Sequence, residues 1–187
     1  MNRFPPRIWP LSGALILLVT LAGCSSPSPL QQHSYLLRSA QPVPQVQPVV
    51  LQRVSLPDYL YGDALVVLVN DNELYRAQQH RWAEPLPQSI ERYLRQRISS
   101  HLGAATLAQP VTLEVRIDEL LGTLEGQLSL VASYRIEREG QAPQRGAFQQ
   151  QLAQPAEGYT GLVAGHQQIL DQLAAAIAAD LQSAATP

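Results

Sequence analysis

Apolar residues recur at every fourth position between residues 85 and 102, with arginine and glutamine side chains between them. The recurring residues are Leu86, Ile90, Leu94 and Ile98. This spacing places one apolar stripe along the side of an α-helix, and Gly103 suits the position just after a helix end. The pattern predicts an amphipathic helix over about 86–102.

A longer apolar stripe of the same kind predicts a second helix over about 159–182. Its members are Tyr159, Leu162, Val163, His166, Ile169, Leu170, Leu173, Ile177 and Leu181. Because His166 lies on this stripe, we interpret it as a hydrogen-bonded core or semi-buried histidine rather than as a base or a metal ligand.

Strict alternation of apolar and polar residues replaces the helical period in two segments between the helices, as is typical of half-buried strands. The apolar members are Val111, Leu113, Val115 and Ile117 in the first segment, and Leu128, Leu130, Ala132, Tyr134 and Ile136 in the second. A short connection at Glu139 and Gly140 then predicts residues 146–152 as a hairpin partner.

Three more strands are predicted before the first helix. Residues 48–57 form a segment ended by a proline, and the continuous apolar run at residues 64–69 is typical of a buried central strand. Asp71 and Asn72 suit a turn, after which residues 73–77 return as the next strand.

The order strands, helix, strands, helix predicts an α+β fold. We expect a two-layer sandwich, in which an antiparallel or mixed sheet is covered on one face by both helices. A single globular domain over residues 48–183 would contain all of these elements.

The N-terminal end has the composition of a secretory signal peptide over residues 1–23. Two arginines precede an apolar run at residues 11–22, which as a helix would reach only about 18 Å of the ~30 Å hydrocarbon core of a membrane. The chain's single cysteine, Cys24, follows this segment. Without a second cysteine, a disulfide within the monomer is excluded.

The sequence LAGC at residues 21–24 resembles a bacterial lipobox. The resemblance implies that the Cys24 thiol receives a diacylglycerol and that the new terminal amine receives an acyl chain. Several acyl chains hold a soluble domain on a membrane. The alternative is an ordinary signal peptide whose cleavage site happens to contain a cysteine.

Residues 24–47 are rich in proline, glutamine and serine and predict a tether, interrupted at 33–38 by an alternating segment that suits a first strand. Ser25 and Ser26 follow the cysteine. By resemblance to enterobacterial lipoproteins, serine there implies sorting to the outer membrane, on its periplasmic face.

Charge and residue types exclude several classes of function. Without Arg3 and Arg7, the chain carries 11 basic and 15 acidic side chains, and every basic side chain is an arginine. The absence of lysine excludes a P-loop lysine and a Schiff-base lysine. We expect no nucleic-acid partner, because no basic patch is large enough to indicate one.

No local motif for catalysis or metal binding is present in the sequence, so we expect neither an enzyme nor a bound metal or free cofactor. The four histidines, His33, His80, His101 and His166, lie far apart, and HExxH, CxxC and GxSxG are absent. Asp118 and Glu119 are neighbours on a strand and should point to opposite faces, not form an acid–base pair. A metal or catalytic site assembled from residues that are distant in the sequence remains an alternative.

Two unusual stretches remain, SLPDYLYGD at 55–63 and HRWAEPLP at 80–87. The first should present Tyr59 and Tyr61 near a turn. Trp82 in the second is either a lid on the core or an amphipathic anchor for a partner or a lipid. Glu84 lies near the start of a helix, where negative charge is favoured.

These stretches, with the lipobox, the YLL segment at 35–37 and the closing helix, resemble the PqiC/YmbA family of auxiliary lipoproteins over about residues 34–182. The resemblance implies a non-enzymatic outer-membrane lipoprotein that docks the periplasmic MCE-domain protein of an ABC-type transporter. Such a system moves phospholipid or other hydrophobic cargo between membranes and supports envelope integrity. The marker positions, which serve partner binding or framework, are Leu56, Pro57, Tyr59, Leu60, Arg81, Trp82, Glu84, Pro85 and Leu86.

Two other functions fit the residues. A periplasmic lipid carrier or chaperone would hold an acyl chain between sheet and helices, in an apolar cavity. An assembly factor for an outer-membrane machine, similar in plan to a pilotin or a plug, would use the same lipid anchor. Self-association would suit a ring-shaped partner, although no residue specifies the number of copies.

Overall fold

The computed structural model describes residues 31–39, 49–103, 107 and 109–183. The chain divides into two compact units, residues 1–31 and residues 32–187, and every element below belongs to the second unit. The predicted signal peptide, the predicted lipidation site Cys24 and the predicted tether at residues 24–30 and 40–47 lie outside the described residues.

Seven strands and two α-helices make up the described fold. The first half contains β1 (His33–Tyr35), β2 (Val49–Ser55), a 3₁₀ turn (Asp58–Leu60), β3 (Ala64–Asn70) and β4 (Glu73–Trp82). The second half contains α1 (Leu86–Leu102), β5 (Val111–Gly122), β6 (Gln127–Arg138), β7 (Gln144–Ala153) and α2 (Gly158–Ser183).

The larger sheet has the order β2-β5-β6-β7. β2 pairs parallel with β5, whereas β5, β6 and β7 form an antiparallel meander. The alternation seen in the sequence is confirmed, since the apolar members of β5 and β6 are all buried. Both helices contribute almost fully buried side chains to the same core, among them Ile90, Leu94, Ile169 and Leu173.

The smaller sheet has the order β1-β4-β3. Its central strand is β4, so the prediction that residues 64–69 form a central strand is wrong. β4 also runs on to Trp82, five residues past the predicted end at residue 77. The segment predicted as a strand at 33–38 forms β1 only as far as Tyr35, where it pairs parallel with the end of β4.

The predicted α+β sandwich is confirmed, with the difference that its strands form two sheets rather than one. The reason lies at one edge of β5. β2 pairs with β5 only as far as Arg116. Thr123, the residue directly after β5, then meets Leu68 of β3 through a single parallel bridge. One bridge links the two sheets without merging them.

The predicted end of the first helix is confirmed. Gly103 follows α1 with φ of 59°, a left-handed backbone that glycine adopts without a steric cost. Its N–H donates to the carbonyl of Ser99 over 3.1 Å. This bond satisfies one carbonyl that the last turn would otherwise leave unpaired.

Gly146 on β7 makes room for an aromatic ring that connects the sheet to α2. It lies opposite Tyr134 of β6, and a Cβ atom at this position would come within 2.2 Å of the Tyr134 ring. The Tyr134 hydroxyl donates to the Asp180 carboxylate on α2 over 2.7 Å. Burial raises the pKa of this phenol, so the hydroxyl stays a donor.

Gly146→Val should therefore destabilise the fold, because the new side chain would displace the Tyr134 ring, whose hydroxyl is bonded to Asp180. Overpacking of this kind costs about 2 kcal/mol. Urea unfolding monitored by circular dichroism measures the change. The matched control is Ala147→Val, since Ala147 is the exposed neighbour on the same strand. Equal unfolding free energies for the two variants would contradict the assigned packing.

Candidate functional site

The two stretches singled out in the sequence come together in space. The segment that follows the 3₁₀ turn contacts the end of β4, where the Trp82 N–H donates to the Asp63 carbonyl over 2.6 Å. The Arg81 guanidinium forms an ion pair with the Asp63 carboxylate, also at 2.6 Å. These contacts fix the two stretches against each other just before α1 begins.

A surface groove of about 560 Å³ lies between the two stretches. We call it the tryptophan groove. Its lining includes Tyr61, Asp63, Trp82, Glu84, Pro85 and Pro87. Aromatic and proline side chains with few polar groups are typical of surfaces that accept a ligand or a partner side chain.

Trp82 serves the core and the groove together. Its side chain is only 6% exposed and belongs to the hydrophobic core, which confirms the interpretation as a lid on the core. The residue also lines the groove. Tyr61 is the opposite case, since it is 58% exposed at the same groove.

The LPDYL stretch is mostly framework. Leu56 and Leu60 are buried in the core, and the Pro57 carbonyl accepts the Leu60 N–H over 3.0 Å to close the 3₁₀ turn. Tyr59 is half-buried, and its hydroxyl accepts the Leu120 N–H over 3.3 Å. The prediction that Tyr59 is presented at the turn is therefore wrong, because β5 holds its side chain.

The RWAEPL stretch supplies most of one wall of the groove. Trp82, Glu84, Pro85 and Leu86 line it, whereas Arg81 supports it through Asp63. Leu86 is also the first residue of α1 and is almost fully buried. The position of this wall is thus set by the packing of the helix.

The Glu84 carboxylate ties the wall to α1. It accepts a hydrogen bond from the Ser89 hydroxyl over 2.5 Å and two from the Arg92 guanidinium, one of them at 2.9 Å. Hydrogen bonding to Arg92 and Ser89 lowers the pKa of the Glu84 carboxyl. Side chains of the helix, more than its dipole, account for the negative charge at this position.

His166 on α2 packs behind Trp82, with ring centroids 6.1 Å apart. It is buried, as predicted, and burial lowers the pKa of its imidazole to about 4. Neither ring nitrogen has a hydrogen-bond partner within the described ranges. The expectation of a hydrogen-bonded histidine is wrong, because the neighbouring residues of α2, Leu162 and Ile169 among them, are apolar and buried.

A cluster of aromatic rings that the sequence analysis missed fastens β1 to the fold. The His80 ring stacks on His33 at 5.0 Å and on Tyr159 at 3.9 Å. The Tyr35 hydroxyl lies 2.8 Å from His80 Nδ1. These histidines and tyrosines lie in three separate segments of the sequence. Only the parallel pairing of β1 with β4 brings His33 and Tyr35 next to His80.

The groove lining contains two carboxylates, Asp63 and Glu84, and each is paired with an arginine. Among the described residues, no group of three histidine, cysteine, aspartate or glutamate side chains is placed to hold a metal ion. Asp118 pairs with Arg116, whereas Glu119 accepts a hydrogen bond from Ser129. These adjacent carboxylates therefore have separate partners.

Comparison with known proteins gives a consistent result. A family model described as ABC-type transport auxiliary lipoprotein component matches residues 35–178. The intermembrane transport lipoprotein PqiC of Escherichia coli K12 is 28% identical over 179 residues, which cover 89% of this chain and 95% of that protein. PqiC of Shigella flexneri matches to the same extent.

Two solved structures share the fold. The crystal structure of an uncharacterized protein has a TM-score of 0.69 and 25% identity, over 81% of this chain and 99% of that one. A protein from Xanthomonas campestris has a TM-score of 0.57 and 15% identity, over 84% and 92% of the two chains. None of the helices in the described ranges has the length and apolar character needed to cross a bilayer.

His166→Leu should make the protein less sensitive to acid. With a folded-state pKa of about 4, His166 stays neutral while the unfolded imidazole, with its ordinary pKa of about 6.5, takes up a proton. The contribution of His166 to the free energy of unfolding is therefore fully present above the ordinary pKa of the imidazole. It falls by up to about 3 kcal/mol as the pH drops towards the pKa of His166 in the folded state.

The measurement is urea unfolding at pH 7.5 and at pH 4.5 for both proteins. The leucine variant should lose about 2–3 kcal/mol less on acidification, because the carboxyl groups contribute equally to both. The same loss in the two proteins would show that His166 is not buried in the neutral form.

Proposed function

The chain belongs to the family of ABC-type transport auxiliary lipoprotein components, and from this membership we propose that it docks an MCE-domain protein at the outer membrane. It acts there as the non-enzymatic, lipid-anchored subunit of an intermembrane transport system. By moving phospholipid or other hydrophobic cargo, the system supports envelope integrity. The resemblance first noted from LPDYL and RWAEPL is thus confirmed at the level of the family.

The observation that carries the proposal is the tryptophan groove. The two stretches on which the resemblance was based meet there, and the buried marker residues Trp82 and Leu86 line it. Tyr61, which is 58% exposed, provides aromatic surface of the kind enriched where proteins recognise one another, and the buried Trp82 supports the groove from the core side. A volume of about 560 Å³ accommodates a side chain or a short loop of the partner.

The groove is also held in place before any partner arrives. Arg81 with Asp63 fixes one side, and Glu84 with Arg92 fixes the other. These ion pairs are partly exposed, so each contributes little stability by itself. Their value is geometric, because a surface that is ordered in advance loses less conformational freedom on binding.

The lipid anchor completes the proposal. We assign the attachment to Cys24 through a diacylglycerol and an N-acyl chain, the modification implied by the lipobox. The nine residue steps from Cys24 to His33 reach at most about 30 Å, and the chain then enters the folded unit at β1. The domain can therefore stand clear of the lipid headgroups while it engages a periplasmic partner.

A photo-crosslinking amino acid at Tyr61 tests the docking surface in cells. This position is exposed at the groove, so we expect a covalent adduct with the MCE-domain protein. The matched control is the same probe at Gln149, an exposed position on β7 outside the groove lining. Equal adducts at both positions, or an adduct at Gln149 alone, would place the partner elsewhere. A copurified phospholipid in native mass spectrometry, without any MCE adduct, would favour the carrier function instead.

Cys24→Ala should release the protein from the membrane, because the acyl chains that hold it there can no longer be attached. Fractionation of the envelope should move the protein from the outer membrane to the soluble periplasm or to the uncleaved precursor. The circular dichroism spectrum of the domain should stay the same, since Cys24 precedes all of the elements that the structure describes. A variant retained in the outer membrane would contradict the assigned anchor.

A further inference from the structure

The open face of the larger sheet carries four arginines around one pocket. Arg53, Arg116, Arg135 and Arg145 come from β2, β5, β6 and β7 and line a pocket of about 300 Å³. We call it the arginine pocket. It shares no lining residue with the tryptophan groove. The pocket is therefore a second surface feature, on the side of the sheet opposite the core.

The strand register explains why these side chains converge. Arg53 lies opposite Glu114, Glu114 opposite Arg135, and Arg135 opposite Arg145, so the four form one row across the sheet. In the next row, Arg116 lies between Ser55 and Ser133. Both serines also line the pocket. The pocket thus combines guanidinium and hydroxyl donors on one face.

Donors exceed acceptors in this pocket. Arg116 and Arg135 each pair with a carboxylate two residues along their own strand, Asp118 and Glu137. Within the described part of the chain, Arg53 and Arg145 have no carboxylate within ion-pair distance. Glu114 is the one acidic side chain in the lining. The four guanidinium groups therefore outnumber the three carboxylates next to them, Glu114, Asp118 and Glu137.

One donor is also buried without an acceptor. Arg135 Nε is inaccessible to solvent and has no hydrogen-bond partner among the described residues. A buried donor left unpaired is unfavourable, but the Arg135 side chain as a whole is 43% exposed, so its guanidinium is accessible to an anion. Arg135, together with the two arginines that have no ion pair among the described residues, points to a ligand with several oxygens.

We propose that the arginine pocket binds a phosphate group, either as free phosphate or as the phosphodiester of a lipid headgroup. The planar guanidinium presents paired N–H donors that match phosphate oxygens. A tetrahedral anion with three or four oxygens offers more acceptor sites than a single carboxylate, so it can engage several arginines together. A pocket of about 300 Å³ suits a headgroup-sized ligand better than a folded partner.

Titration of the full-length protein in a non-ionic detergent tests this proposal. Isothermal titration calorimetry measures the binding of inorganic phosphate and of glycerophosphoethanolamine, which represent the two sources. Saturable binding of either compound in the millimolar range or tighter, weakened by added sodium chloride, is expected. Tighter binding of the diester assigns the site to a lipid headgroup, whereas tighter binding of inorganic phosphate assigns it to the free anion.

The test variant is Arg53→Gln with Arg145→Gln, since both side chains are exposed and neither has an ion-pair partner among the residues that the structure describes. Its affinity should fall about tenfold, given the strength of charge-assisted hydrogen bonds. The control, Arg76→Gln with Arg95→Gln, removes the same charge outside the pocket lining and should change the affinity less than about twofold. Thermal unfolding should confirm that both variants are folded.

Three results would overturn the proposal. One is the absence of saturable binding of both phosphate compounds, and another is equal affinity in the test variant and the unmodified protein. The third is binding of an acidic peptide such as oligoglutamate by the unmodified protein when neither phosphate compound binds. That result would assign the pocket to an acidic segment of a protein.

Discussion

The packing of both helices against one face of the larger sheet is the constraint on which the rest of the structure depends. The stripe of α1, formed by Leu86, Ile90, Leu94 and Ile98, is almost completely buried in that core. Because Leu86 begins the helix and also lines the tryptophan groove, burial of the stripe decides where the groove lies. α2 contributes from behind, where His166 packs against Trp82. The tryptophan groove is thus an extension of the core.

The sequence predicted those elements whose partners are close along the chain. Both helices and the meander of β5 to β7 follow from apolar periodicity and short connections, so local information is sufficient for them. The parallel pairs could not be predicted in this way, because β1 meets β4 and β2 meets β5 across long separations in sequence. The division into two sheets depends on these pairs. Non-local pairing is therefore the information that periodicity does not contain.

The candidate site was predicted in part, for a related reason. Composition identified Trp82 and Tyr61 as unusual, but burial separates their roles, with one side chain in the core and the other exposed. Tyr59 differs from Tyr61 because its hydroxyl accepts a hydrogen bond from β5. His166 was correctly placed in the core from its position on the stripe. Its lack of a hydrogen-bond partner among the described residues depends on which side chains of other elements surround it, and a single stripe does not show this.

The attachment of the N-terminal segment connects the proposed anchor with the groove. β1 has only three residues, and so short a pairing contributes few backbone hydrogen bonds. Side chains add to the contact, since Leu37 is buried and the Gln167 amide lies 3.4 Å from the carbonyl oxygens of Leu36 and Arg38.

The register of β1 with β4 gives this attachment a direct link to the groove. Tyr35 lies opposite Trp82, and the Ala83 N–H donates to the Tyr35 carbonyl over 2.8 Å. The short strand β1 is therefore bonded directly to the strand that carries one wall of the tryptophan groove. The segment through which the proposed lipid anchor would join the folded unit thus lies next to the surface that we propose for the partner.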